Sequence, residues 1–365
     1  MAVAQAGATA LQLLDGATGF GPGRLTRFDG EVVSLGPCGD DVCGVAVDGR
    51  WQRWRLADLA RTGGGRLRAP VVAVAEGPLP TIVDAFGGVY GLETSGARSL
   101  GTVSGGPVQA ACRTPDHRIH LLARGEGLRS LPGGASPEGP ADAVPPVALA
   151  CSAAGLFIGF ADGRATTPAG PLDTGLAGPP GRIVAGPAGD VFAVTDGVTS
   201  TVARPGRPSE RIAGQALLAA GEGARAVVVL KVEGGLRLLR ADGTQHDLPA
   251  AAATPTTIAL APDGRQLALG TVDGRTEVFD LANGHTLFRF DRPARRATSA
   301  LLFVPGPSGE RWLLVGQTDG GVEVLPTTVR GALDAACARL SAWGRPDASP
   351  GTTAPTCASA RPVPP

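Results

Sequence analysis

The chain of 365 residues contains 55 Gly and 32 Pro, about a quarter of its length where ordinary proteins carry roughly 12%, which is too many breakers for a helical bundle. Hydrophobic residues make up 43% and charged residues 18%, enough apolar material for a large core and too little charge for a disordered chain. Basic and acidic residues balance at 33 each, so no global field favours nucleic acid or an anionic membrane, and the single lysine, Lys231, among so many arginines reads as a GC-rich bacterial codon bias.

At the N-terminus, residues 1–7 have no basic residue and no apolar run, so they do not form an intact secretory signal, although Ala4-Gln5-Ala6 matches the tail of a cleavage site. A cytoplasmic location is expected, with export as the alternative if the chain begins after a removed signal. Residues 1–23 are read as an N-terminal arm, with Leu11–Gly16 either an added strand or part of that arm.

From Val32 onward, short runs of small apolar residues recur: VVSLG at Val32, VVAVA at Val71, VQAAC at Val108, VALAC at Val147, IVAG at Ile183, LLAAG at Leu217, IALAP at Ile258 and LLFVP at Leu301, at intervals of 34–43 residues. Each run is followed by a second apolar segment and then a tight-turn signal. Five of these signals are Asp-Gly, at Asp48, Asp162, Asp196, Asp273 and Asp319. The residues suit type I′ hairpins, whose central positions need positive φ. The unit at Ile258 shows four strands, IALAPDG, QLALGTVDG, TEVFDLANG and HTLFRF. Four short antiparallel strands repeated at about forty residues predict an all-β propeller of eight blades, or seven if the first or third repeat is misread.

The last unit has three strands, LLFVPG, RWLLVGQ and GVEVL. Arg24–Phe28 resembles the outer strand TLFRF and directly precedes the first unit, so the N-terminal strand is expected to close the last blade, giving a propeller over 24–326. Beyond it, Val329, Leu333, Ala336, Leu340 and Trp343 follow helical spacing, and a C-terminal helix is expected over 327–345. Residues 346–365, rich in Pro, Ala, Ser and Thr, read as a tail. The uncharged stretch 143–161 is interrupted by Pro145-Pro146 and reads as two strands around a turn, so no membrane insertion is expected.

The segment IALAPDGRQLALGTVDGRTEVFDLANGHTLFRF resembles a WD40 repeat or its bacterial YVTN-type relatives, with Phe279-Asp280 at the Trp-Asp position and Gly284-His285 at the Gly-His position. The likeness spans 256–325; elsewhere the strand and turn spacing persists without either dipeptide, so the family's Asp-His-Ser/Thr-Trp network is not expected. The resemblance implies a scaffold or sensor that binds another protein or peptide, such as an NTPase, protease or kinase.

Catalytic chemistry has little to draw on. One Asn and one Tyr are poor material for the calcium site of propeller lactonases, and no G-x-S-x-G, H-E-x-x-H or P-loop occurs. His117 and His120 are placed on one strand, facing opposite ways as surface histidines, so no metal or other cofactor is expected. Cys38 and Cys43 bracket a hairpin turn where a disulfide could form in an oxidising compartment; the alternative for the six cysteines is free thiols in a cytosolic protein. Trp51 and Trp54 fall on opposite faces of one strand, and each is expected to pack between neighbouring blades, with an exposed recognition role as the alternative. Arg50, Arg164 and Arg275 recur just after Asp-Gly, so they share one rim and could bind carboxylates or anions there, with Trp51 as a recognition residue; the alternative is solvated turn residues. The expectation is a non-catalytic module that binds its partner on this rim. The alternative, a hydrolase- or lyase-type enzyme or small-molecule sensor, would need three or more convergent His, Asp or Glu side chains in the central channel.

Overall fold

The structure, a computed structural model, describes residues 2–3, 11–14, 23–56, 59–75, 80–93, 96–103, 106–124, 127–132, 144–204, 207–249, 254–291, 296–305 and 311–328. The expected C-terminal helix, apart from Thr327 and Thr328, and the tail lie outside the described residues, as do Cys337 and Cys357.

Eight antiparallel sheets follow one another along the chain as blades of a ring. Their innermost strands are Val32–Cys38, Val71–Ala75, Val108–Arg113, Pro146–Ser152, Arg182–Ala185, Gln215–Ala220, Pro255–Leu260 and Thr298–Pro305, each at or around one of the small apolar runs. Strand order runs from the channel outward, as in blade 1 (Val32–Cys38, Asp41–Ala46, Arg50–Arg55, Arg61–Arg66). Blade 3 shows three strands, and residues 133–143 that follow lie outside the described residues. The ring closes through Gly23–Arg27, which pairs antiparallel with Gly321–Pro326, Arg24 opposite Glu323 and Arg27 opposite Gly321. Leu11–Leu14 adds in parallel to the outer strand of blade 7, Thr286–Asp291, and Ala2–Val3 pairs with it in turn.

Burial follows position within the blade. Second strands are covered on both faces by neighbouring sheets, so Thr81–Asp84 and Ile119–Ala123 are buried throughout rather than on alternate residues. Outer strands meet solvent and use Arg, Ser and Gly, as in Arg61–Arg66 and Arg207–Ala213. The core is therefore a set of apolar seams between blades. Blades 8 and 1 share Phe28, Val42, Trp54 and Leu314; blades 5 and 6 share Val202, Ile212 and Val228. Seams of this kind join blades 8 and 1, 1 and 2, 2 and 3, 4 and 5, 5 and 6, 6 and 7, and 7 and 8, and blade 3 buries Leu122 and its cross-strand partner Leu128 on the face away from Leu121, towards blade 4. There, Cys112 and Cys151 on the two inner strands form a disulfide.

The hairpin turns differ from expectation. In the turns ending at Gly49, Gly163, Gly274 and Gly320 the glycine N–H donates to the carbonyl three residues earlier, and only the glycine takes positive φ, between 83° and 87° for Gly163, Gly274, Gly320 and Gly49. These are type I turns followed by a left-handed glycine rather than type I′ turns. The preceding aspartate stays at negative φ, where its carboxylate accepts a backbone N–H two residues on, as Asp48 does from Arg50 and Asp319 from Gly321. That capping bond favours Asp at the position, and only glycine meets the left-handed requirement without strain.

Candidate functional site

Alternation of strand direction sends the second-to-third-strand turns and the links between blades to one face of the ring, here the upper face, and the remaining turns to the lower face. Arg50, Arg164 and Arg275 all stand on the upper face, on blades 1, 4 and 7. They do not converge, because intervening blades separate them. Each is also matched by a nearby carboxylate: Arg50 by Asp29 and Asp48, Arg164 by Asp162, and Arg275 by Asp291 at 2.7 Å. A ring of unpaired cations is therefore not what this rim presents. Trp51 is not on the rim at all. It is 6% exposed, in the seam between blades 1 and 2, while Trp54 faces the opposite seam, so the strand's two faces spend both indoles on core.

The upper face is instead marked by apolar groups. Val47, Phe86, Val198 and Val272 sit on second-to-third-strand turns, and Val72 stands beside Val47, whose carbonyl accepts the Val71 N–H. These five are the large hydrophobics exposed among the described residues, with Phe86 at 78% and Val198 at 76%. Val72 belongs to a further pattern. Seven of the eight inner strands begin with a β-bulge, whose extra residues are Val33, Val72, Gln109, Val147, Leu217, Thr256 and Ser299. A bulge re-aims a side chain and ends regular pairing, so a ring of apolar and uncharged polar residues surrounds the upper mouth of the channel.

The channel holds a cavity of about 740 Å³ lined by inner strands of blades 2 to 7, among them Ala110, Ala150, Ala185, Leu217 and Thr257. Its charged lining residues are Arg113 and Arg182, with no carboxylate or imidazole. The disulfide Cys112–Cys151 forms part of this wall. The second disulfide, Cys38–Cys43, lies across the first-to-second-strand turn of blade 1 on the lower face, with its Cα atoms 5.7 Å apart. No group of three or more His, Cys, Asp or Glu that could hold a metal occurs among the described residues.

The histidines depart from expectation. His117 occupies a turn with φ 67°, its N–H bonded to the Thr114 carbonyl at 2.9 Å, rather than a strand. His120 is buried at 8% exposure, Nδ1 2.8 Å from Ser130 Oγ, because it lies on a second strand enclosed by both neighbours. Burial pushes its pKa below the ordinary 6.5, against the opposing pull of Asp116 and with a smaller contribution from Arg118. The unfolded chain then takes up the proton first as pH falls through 6.5, and stability should decline from there until the folded-state pKa is passed. Urea midpoints measured between neutral and mildly acidic pH should show this slope in the native protein and a flatter one in His120→Gln; equal slopes would contradict it.

No family model and no curated protein matches the sequence. Among solved structures, the fold is similar to the computationally designed Ika8 protein, with a TM-score of 0.62 and 15% identity over 83% of this chain and 98% of that one. It is also similar to the β-propeller domain of Myceliophteria thermophila Cps50 (Swd1), with a TM-score of 0.54 and 12% identity over 82% of this chain and 98% of that one. Among the described residues no helix is long and apolar enough to cross a membrane. The likeness is one of fold, and the chain is an eight-bladed β-propeller.

Proposed function

We propose that the chain is a non-catalytic interaction module that seats a partner protein or peptide on its upper rim and channel mouth. The observation that carries this reading is that, among the described residues, the exposed large hydrophobics all stand on that one face. An aromatic ring held in water on a tight turn contributes nothing to the core, and grouped groups of this kind are the usual core of an interface. Val47, Val72 and Phe86 lie on adjacent blades, with the matched Arg50 beside them as a polar border. The channel wall supports the non-catalytic side of the proposal, since small apolar side chains and two arginines supply neither a general base nor a nucleophile. An NTPase, protease or kinase is the partner class that the family resemblance suggests.

Two disulfides bear on compartment. Bonds of this kind persist where the environment is oxidising, which supports export over the cytoplasmic expectation.

The test is affinity capture from the native host with three proteins: the native chain, Phe86→Ser/Val198→Ser/Val272→Ser, and Ala150→Phe in the channel. Loss of buried anchors should lower partner recovery about tenfold or more in the rim variant and leave it unchanged in the channel variant. The reverse pattern would transfer the site to the channel, and undiminished recovery by the rim variant would remove the proposal.

A further inference from the structure

The channel wall holds a reactive bond that the rim reading does not use. Cys112 and Cys151 both line the central cavity of about 740 Å³. Cys151 is half-buried and Cys112 is 9% exposed, whereas Cys38 and Cys43 are 3% and 1% exposed in the seam between blades 1 and 2. One disulfide therefore faces a space within the roughly 300–1,000 Å³ typical of small-molecule sites. The other is closed in by side chains.

The charges around that space are of one sign. Inner strands run from the upper to the lower face; Arg182 opens its strand and Arg113 ends its own, so one guanidinium stands toward each mouth of the channel. Cys112 directly precedes Arg113, and Cys151 stands one residue before the end of its strand, which places the disulfide toward the lower mouth. There an Arg113 nitrogen donates to His117 Nδ1 at 3.2 Å, which positions the guanidinium at that mouth. With two arginines and no carboxylate in the lining, the cavity has a positive field that draws anions and favours thiolate over thiol.

We propose that Cys112–Cys151 is a site of thiol–disulfide exchange served through the channel by small anionic thiols of the glutathione class. The incoming thiolate attacks Sγ of Cys151, the more exposed cysteine. A new S–S bond forms there, the protein bond breaks, and its electron pair leaves on Cys112 Sγ as a thiolate in the positive field of the cavity. A second thiolate attacks the small-molecule sulfur of the mixed disulfide, releasing Cys151 as a thiolate and the two thiols as one free disulfide. The protein gains two electrons, and its two thiolates take protons from water. A folded protein reductant does not fit the cavity, so the junction of blades 3 and 4 responds to small thiols whether or not a partner sits on the rim.

The test exposes the native protein, its free thiols first alkylated, to glutathione or to the cationic thiol cysteamine, with each rate divided by the thiolate fraction. New thiols are trapped with a second label and assigned by peptide mass spectrometry. Cys112 and Cys151 should be labelled while Cys38–Cys43 stays oxidised. Glutathione should outpace cysteamine about tenfold at low salt, a ratio that falls as salt is raised and in Arg113→Gln/Arg182→Gln. A Cys112→Ser chain offered oxidised glutathione should carry the tripeptide on Cys151. Equal rates for the two disulfides would mean that reduction proceeds through unfolding of the whole chain, and would overturn the proposal. Earlier loss of Cys38–Cys43, equal rates for the two reagents in the native chain, or an unchanged ratio in the arginine variant would overturn it as well.

Discussion

Trp54→Ala should lower stability by about 3–5 kcal/mol, the usual cost of truncating a fully buried tryptophan, and reduce Tm by roughly 5 °C for a chain of this size. Trp54 is 1% exposed, meets Phe28 edge to face at 6.4 Å and 81°, and lies in the seam between the first and last blades. Phe28 follows the closing strand directly, with its N–H bonded to the Gly320 carbonyl at 2.8 Å. The cavity therefore opens where the ring is sealed, and amide exchange in Gly23–Arg27 and Gly321–Pro326 should accelerate more than exchange in blades 4 and 5. The partner of this packing is Gly44, where a Cβ would approach Trp54 Cη2 to 2.7 Å. Gly44→Ala should destabilise the native chain and cost much less in the Trp54→Ala background, a coupling that a double-mutant cycle by urea unfolding would read directly. Additive effects would show that Gly44 is not held by the indole.

The propeller is legible in the sequence because its physics repeats. A glycine that must be left-handed recurs in each hairpin, and each second strand, covered on both faces, contributes an apolar segment. The closing strand is legible because Arg24–Phe28 has the composition of an outer strand and the last unit lacks one. The candidate site is less legible. The apolar members of the rim, Val47 and Val272, directly precede Asp-Gly, three positions before Arg50 and Arg275 on the other side of the same turns. The bulges could not be read, since they answer to the curvature of the inner strands around the channel and not to any local propensity.

Arginine also does work that composition hides. Arg53, Arg204 and Arg240, on third strands, donate to carbonyls at or just beyond the third-strand ends of the next blade, Glu93, Arg240 and Leu281 in turn. Arg53 and Arg204 are 8% and 7% exposed. These guanidinium groups satisfy carbonyls at the blade junctions. A solvated turn arginine and a junction arginine look alike in the sequence, because only the neighbouring blade distinguishes them.

Cys112 and Cys151 show what alignment of the repeats alone could have revealed. Both stand at the fifth residue of consecutive inner runs, VQAAC and VALAC, so the period of the fold sets them side by side. Their bond joins the inner strands of blades 3 and 4 across a sequence separation of 39 residues. Loop entropy assigns such a crosslink about 4 kcal/mol, against about 2 kcal/mol for the short loop between Cys38 and Cys43. Cys112→Ser/Cys151→Ser should therefore lower the denaturant midpoint markedly and leave little further response to reductant, whereas Cys38→Ser/Cys43→Ser should retain most of that response. Equal midpoints for the Cys112→Ser/Cys151→Ser variant and the native chain would mean that the junction is held by something other than its disulfide.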